Sequence, residues 1–280
     1  APMVPVHTWL PDAAEQATPG ASTLLVGLLD KIGTLGMIRI CLGLFPQASQ
    51  WATPFVLVLA VISVLWGATM AVTSKDLMRL VSYTSVSHFG FMIIGIFAVT
   101  TTSLTGSIFY MFNHGFSTAA LFLVLGFLVK RRGSAQVDAF GGVQKTAPVL
   151  AGMFLFAGLA TMSLPGISNF IGEFMVLAGA WSRHPVYVAV ATLGMVLGAV
   201  YILLTYKRTM TGPLTQATKA HVTTDLTGLE KAALTPLVIL LLVFGFFPRP
   251  MLHVIEPVAH QTMSIVGVTD PAPAAEEGVK

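Results

Sequence analysis

Two charged side chains, Lys31 and Glu173, lie inside stretches that are otherwise apolar enough to cross a lipid bilayer. A charge near the bilayer centre costs at least ~2.5–3.5 kcal/mol on insertion scales, so a chain that keeps one turns it towards a protein interior or a water path. His88 and His114 fall in two more such stretches. Together the four predict a polar axis buried in a helix bundle. Such an axis is the minimum equipment for moving protons.

The stretches themselves set the fold class. Hydrophobic residues make up 55% of the chain and charged residues only 10%, against the ~25% charged of an ordinary soluble domain. The apolar residues come in blocks of roughly 20, the length a helix needs to cross ~30 Å of hydrocarbon. Lipid offers backbone groups no water, so the blocks must be helices or a closed barrel. Period-2 alternation is absent and Leu, Ala, Met and Gly abound, so helices are predicted. The reading is all-α, a polytopic transmembrane helix bundle. About seven spans are expected, near 22–45, 54–73, 80–99, 105–129, 148–181, 186–206 and 231–253. Residues 1–21 read as the end of a broken helix plus a loop, 22–253 as the bundle, and 254–280 as a tail, disordered over its Pro-, Ala- and Glu-rich end. Opening on Ala-Pro-Met-Val-Pro, the chain reads as the C-terminal part of something longer.

Loop charge orients the bundle. Lys75, Arg79, Lys130, Arg131, Arg132, Lys145, Lys207, Arg208 and Lys219 fall on one side, and Arg183 and Arg249 on the other. The positive-inside rule makes the first side cytoplasmic and puts the C-terminus opposite. The net charge of +3 comes from these loops; with no basic stripe interleaved with aromatics, no nucleic-acid partner is expected. Cys41 is the single cysteine, so no intrachain disulfide can form. A metal site is not expected, since no HxxxH, CxxC or clustered carboxylates occur at ligand spacing. Nor is there a dinucleotide fingerprint or phosphate loop that would hold a cofactor.

Two segments look interrupted. HTWLPDA at 7–13 puts Pro-Asp where the first apolar run ends, and SLPGISNF at 163–170 puts Pro-Gly inside a long apolar run, with Glu173 close behind. Proline removes a helix hydrogen bond, and paired Gly/Pro-broken membrane segments point to ion or substrate sites in inverted-repeat transporters. A plain kink is the simpler alternative.

Lys31 falls ~14 Å along its span, near the midplane, at 1.5 Å per residue. It is a candidate to take and give a proton, or half of a static ion pair. Asp30 is its neighbour in sequence, but consecutive helical residues diverge by ~100°, so a direct pair between them is expected to be poor. Glu173 follows Asn169 on one helix face and is a candidate proton-loading carboxyl, or a hydrogen-bonded tie across the break. His88 shares a face with Thr84. Tyr110, Asn113, His114 and Ser117 recur at i, i+3, i+4, i+7 as a polar stripe on an otherwise apolar helix. Such stripes order a file of waters or glue helices together, and the residues leave both open. His7, beside the interfacial Trp9, is a candidate entry group or a cap on the first break.

VPVHTWLPDAAEQATP, LLVGLLDKIGTLGMIR, KDLMRLVSYTSVSHFGF, FNHGFSTAALF and LPGISNFIGEF, in this order, closely resemble the antiporter-like membrane subunits of respiratory complex I. The resemblance runs from the first residue to about 253 and implies the second half of an inverted-repeat antiporter-like fold with a broken helix. It implies that Lys31 is the lysine linking two half-channels, that Glu173 is the acid of the broken helix near the exit, and that His88 and His114 lie on the path between them. It also implies a proton-translocating membrane-arm subunit of NADH:quinone oxidoreductase in a bacterial plasma membrane. NADH, FMN, iron–sulfur clusters and quinone would be held by other subunits. The related chains L and N, implied as neighbours, and Mrp-type antiporters usually carry Lys at the position of Glu173. Ala14 replaces a His of the family pattern, Asp30 is outside that pattern, and the family's upstream Glu and Lys fall before Ala1. The segment by itself is therefore not expected to form a complete channel. An Mrp-type cation/proton antiporter and a purely structural membrane subunit are the alternatives.

Overall fold

The computed structural model describes residues 1–270. Residues 271–280, where the sequence predicts disorder, lie outside the described residues. In chain order the helices are α1 (Trp9–Gln16), α2 (Pro19–Leu24), α3 (Lys31–Gly36), α4 (Pro46–Thr73), α5 (Leu77–Phe97), α6 (Thr101–Arg132), α7 (Pro148–Thr161), α8 (Ser168–Trp181), α9 (Pro185–Thr209), α10 (Gln216–His221), α11 (Gly228–Phe246) and α12 (Arg249–Val266). π-helical turns at Leu25–Leu29 and Met37–Leu42 flank α3. Among the described residues the one strand-like pairing is the isolated bridge between Asp76 and Gln136. The all-α bundle is as the apolar blocks predict.

The long helices start where the chemistry allows. Pro46 and Pro185 sit in the first turns of α4 and α9, where a missing N–H costs nothing. Asp76 accepts from the N–H groups of Met78 and Arg79 at the start of α5, and Thr100 caps α6. Thr227 and Glu230 form a capping box on α11. α4, α5, α6, α9 and α11 are each long and apolar enough to cross a membrane. The predicted run at 148–181 is split into α7 and α8 at the predicted Leu-Pro-Gly break, and the first run is divided by its π turns.

α5 is the centre of the bundle. In its most apolar stretch 94% of residues are buried, against 11% in α11, which rides on the periphery. α5 packs on α4 and α6, and α6 packs on α8. With no hydrophobic effect between helices in lipid, close packing of small residues draws them together. A Cβ on Gly90 of α5 would lie 2.6 Å from the Ala60 carbonyl oxygen of α4, and one on Gly172 of α8 would lie 2.7 Å from Cβ of Tyr110 on α6.

Two expectations are corrected. The first apolar run does not break at Pro11–Asp12: α1 runs through both, because Pro11 falls in its first turn where no N–H is needed. The segment from 254 onwards is not a tail. The last span stops at Phe246, as Pro248 lacks the N–H to extend it, and α12 follows. Its Ile255, Ala259, Met263 and Val266 form one buried stripe while His253, Glu256 and His260 face out, an amphipathic pattern masked by Pro257 and the charged residues.

Substituting Gly90 with Ala overpacks the α4–α5 contact and is expected to cost about 1–3 kcal/mol. Gly152→Ala, with nothing within 4 Å of the added carbon, should be neutral or slightly stabilising. Thermal unfolding of the detergent-solubilised protein checks the pair; equal midpoints would show that the close approach is not needed.

Candidate polar axis

The axis starts at a π turn. Asp30 N–H donates to the Leu25 carbonyl five residues back, at 3.1 Å, and such single π turns recur at functional sites. The Lys31 ammonium folds back over the turn to donate to the Val26 carbonyl and lies 3.0 Å from Asp30 Oδ1. This corrects the expectation of a poor Asp30–Lys31 pair: the flexible four-carbon stem of lysine reverses the divergence of the two Cα–Cβ directions. The contact is a charge contact. Neither Asp30 oxygen has a hydrogen-bond partner among the described residues, and the Asp30 side chain is fully enclosed while that of Lys31 is 14% exposed.

Beyond Lys31 stands the ring of Phe89, its centroid 5.3 Å from the ammonium. The Phe89 ring also meets the His114 ring edge to face, with ring centroids 5.8 Å apart. His114 and His88 meet edge to face at 5.1 Å, so α5 and α6 present their two histidines to each other. His114 Nε2 is hydrogen-bonded to the Thr118 hydroxyl at 3.1 Å, and His88 Nε2 to the Tyr201 hydroxyl of α9 at 3.2 Å. Nδ1 of each histidine is buried with no partner among the described residues.

At the far end is Glu173, 3% exposed. Its Oε2 accepts from the Tyr110 hydroxyl at 3.3 Å and, closely, from Ser163 Oγ. Ser163 lies in the break between α7 and α8 at φ 58°, a left-handed conformation uncommon outside glycine. A small cavity with about 10 Å³ of room joins His88, Tyr201, Thr161 and Glu173. That is near the threshold for one water.

The other expected residues divide. Asn169 Nδ2 donates to Ser117 Oγ at 2.8 Å across α8 and α6, and Asn113 Nδ2 donates to the Phe109 carbonyl. The side-chain oxygens of both asparagines are buried and without a partner among the described residues. Thr84 is spent on its own helix, donating to the Val81 carbonyl at 2.8 Å. His7 is not part of the cluster; its Nε2 accepts from Trp66 Nε1 at 3.1 Å. Sequence reasoning missed Tyr201, Ser163 and Phe89. A tyrosine deep in the apolar run GAVYILL is a signal, because a buried hydroxyl needs a partner. Nothing local marks Phe89 among the chain's 18 phenylalanines.

A family model described as NADH:quinone oxidoreductase/Mrp antiporter, TM, matches residues 1–198. NADH-quinone oxidoreductase subunit M of Mycobacterium tuberculosis is 48% identical over 279 residues, taking in 100% of this chain and 50% of that protein. The chain thus spans about half the length of the curated relatives it matches. Among solved structures, a chain of respiratory complex I from Thermus thermophilus is similar at 31% identity with a TM-score of 0.86, covering 95% of this chain and 56% of that one. A chain of the Mrp complex from Dietzia sp. DQ12-45-1b shares the fold, with a TM-score of 0.83 at 22% identity, covering 94% of this chain and 58% of that one.

Replacing Tyr201 with Phe keeps the buried ring and leaves His88 Nε2 without its partner. A loss of about 1–3 kcal/mol is expected. Tyr206→Phe, whose ring packs on Phe154, should change stability little. Equal thermal midpoints for the two variants would remove Tyr201 from the axis.

Proposed function

We propose that this chain, which belongs to the NADH:quinone oxidoreductase/Mrp antiporter family, carries protons across the membrane within a subunit of an NADH-quinone oxidoreductase. The observation that carries the reading is the buried cluster of Lys31, His114, His88, Tyr201 and Glu173, contributed by five separate elements of a multi-pass bundle. Structural glue alone would use polar groups in satisfied pairs. Here both histidine Nδ1 atoms and the Asn113 and Asn169 oxygens lack partners among the described residues, and buried polar groups are completed by water. That favours a hydrated path.

In this mechanism Lys31, His114, His88 and Glu173 transfer protons. Tyr110, Ser163 and Tyr201 hold Glu173 and His88 in place, and Asn113, Ser117 and Asn169 line the route. Asp30 balances the ammonium when Lys31 is protonated. Moving a proton off one group changes the electrostatic energy at the next; at ~7 Å and an effective dielectric of 20 that coupling is about 2 kcal/mol, enough to bias the following transfer. Electron transfer belongs to other subunits, where NADH, FMN, iron–sulfur clusters and quinone would be held. The chain sits in a bacterial plasma membrane with its basic loops cytoplasmic and its C-terminus opposite, beside antiporter-like neighbours of the L and N type. The carboxylate at 173 favours this role over an Mrp-type antiporter.

The test uses the full-length subunit in its assembled complex, in inside-out vesicles. Glu173→Gln and Lys31→Met are each expected to lower NADH-driven acidification of the lumen by about tenfold, equivalent to ~1.4 kcal/mol on the slowest transfer. Assembled complexes with normal NADH oxidation and normal acidification would sink the proposal and leave the axis structural.

A further inference from the structure

α4 and α9 pack together, and α4 ends at Thr73 and α9 at Thr209, both on the side of the basic loops. Between their ends lies a cavity of about 730 Å³. Val72, Leu204 and Phe140 give it apolar walls, and the charged groups that line it are Lys75, Arg208 and Asp138. The turn at Val137–Ala139, which also borders it, is held in place. The Val137 N–H donates to the Lys75 carbonyl at 2.8 Å, and Arg132 Nε donates to the Ala139 carbonyl at 3.1 Å. The cavity therefore belongs to the packed fold.

Its two cations are open to a ligand. Arg79 is paired with Asp12 and Glu15, and Arg131 with Glu230. Lys75 and Arg208 form no ion pair and donate no side-chain hydrogen bond among the described residues, either to Asp138 or to the open carbonyls of the helix ends. With all three groups ionised the cavity carries one net positive charge. That suits a monoanion with several acceptor oxygens, such as a phosphodiester. Towards the membrane the surface turns to hydrocarbon. Val72, Leu65 and Val58 recur at seven-residue spacing on α4, half-buried or exposed, and Leu204, Val200 and Val196 follow one another at four-residue spacing on α9. From Val72 to Val58 is ~21 Å along the helix, more than half of the ~30 Å hydrocarbon core.

We propose that this cavity is the headgroup seat of an anionic phospholipid, with Lys75 and Arg208 on its phosphate and an acyl chain laid along the α4 and α9 rows. Basic pockets between membrane helices on the side of the basic loops suit such headgroups. Asp138 disfavours a second negative charge on the headgroup. The seat needs only that α4 and α9 cross the bilayer, and it stands or falls apart from the proton-transfer reading. It also bears on the axis: Arg208 lies two turns beyond Tyr201 on α9, and Tyr201 bonds His88. An occupied seat steadies the helix that carries that tyrosine.

The test uses the full-length subunit in its assembled, detergent-solubilised complex and photoactivatable phosphatidylglycerol. Adducts on the peptides that carry α4 and α9 are quantified by mass spectrometry. Wild type is expected to be labelled there, and only weakly by phosphatidylcholine with the same chains. The Lys75→Gln/Arg208→Gln double variant should lower the phosphatidylglycerol adducts about thirtyfold, from ~1 kcal/mol for each basic residue. Asp138→Asn removes a repulsive charge and should raise them; it decides the matter where the double variant does not assemble. Equal labelling by the two lipids, or wild-type labelling in either variant, overturns the seat. Loss of the label on adding millimolar inorganic phosphate also overturns it and leaves a site for the free anion alone.

Discussion

The structure depends on how one carboxylate is held where no water reaches it freely. Glu173 sits 3% exposed in the bundle, and lipid on the outside offers its charge nothing. Its Oε2 is met by Ser163 and Tyr110. Ser163 can reach it because the chain leaves α7 at Thr161 and does not resume a helix until Ser168. An unbroken helix would place residue 163 nearly three turns from 173, facing elsewhere. The break is thus the means of bringing a hydroxyl to the carboxylate, and the left-handed φ of Ser163 is a strain accepted there.

The hydroxyl groups of the bundle do two different jobs. Ser87 donates to the Val64 carbonyl, Ser107 to Met92 and Ser103 to Gly95. These tie α5 to α4 and α6 through saturated hydrogen bonds, and they let the small-residue faces of the helices close. Tyr201, Tyr110, Thr118 and Ser163 instead bond titratable side chains. The first group sets the spacing that the second exploits. A bundle locked this closely rearranges its side chains more readily than it slides whole helices.

Lys31 shows how a local irregularity becomes a charge site. The π turn at Leu25–Leu29 directs a backbone carbonyl, that of Val26, towards the ammonium. Asp30 adds a charge contact at 3.0 Å without a formed hydrogen bond. A buried pair held this loosely favours switching over static stabilisation, since ion pairs gain stability in an apolar interior only when geometry and hydrogen bonds are complete.

The sequence by itself determined the class of the molecule and the outline of its axis. Bilayer-length apolar blocks admit only helices, a lone Lys and Glu inside them demand a polar interior, and Leu-Pro-Gly at 164–166 breaks its helix wherever the rest packs. These follow from solvent and backbone chemistry that act locally. Tertiary structure alone decided which groups meet. Helical periodicity put His88 and His114 each on a face, and the α5–α6 contact turned those faces together. Tyr201 reaches His88 from 113 positions along the chain, and Phe89, with nothing in its neighbours to distinguish it, touches both the Lys31 ammonium and the His114 ring. The Asp30–Lys31 contact contradicts what an ideal α-helix predicts, because a π turn and a flexible side chain are not periodic features. Spacing along a chain fixes the face a residue occupies; the crossing of helices selects what that face touches.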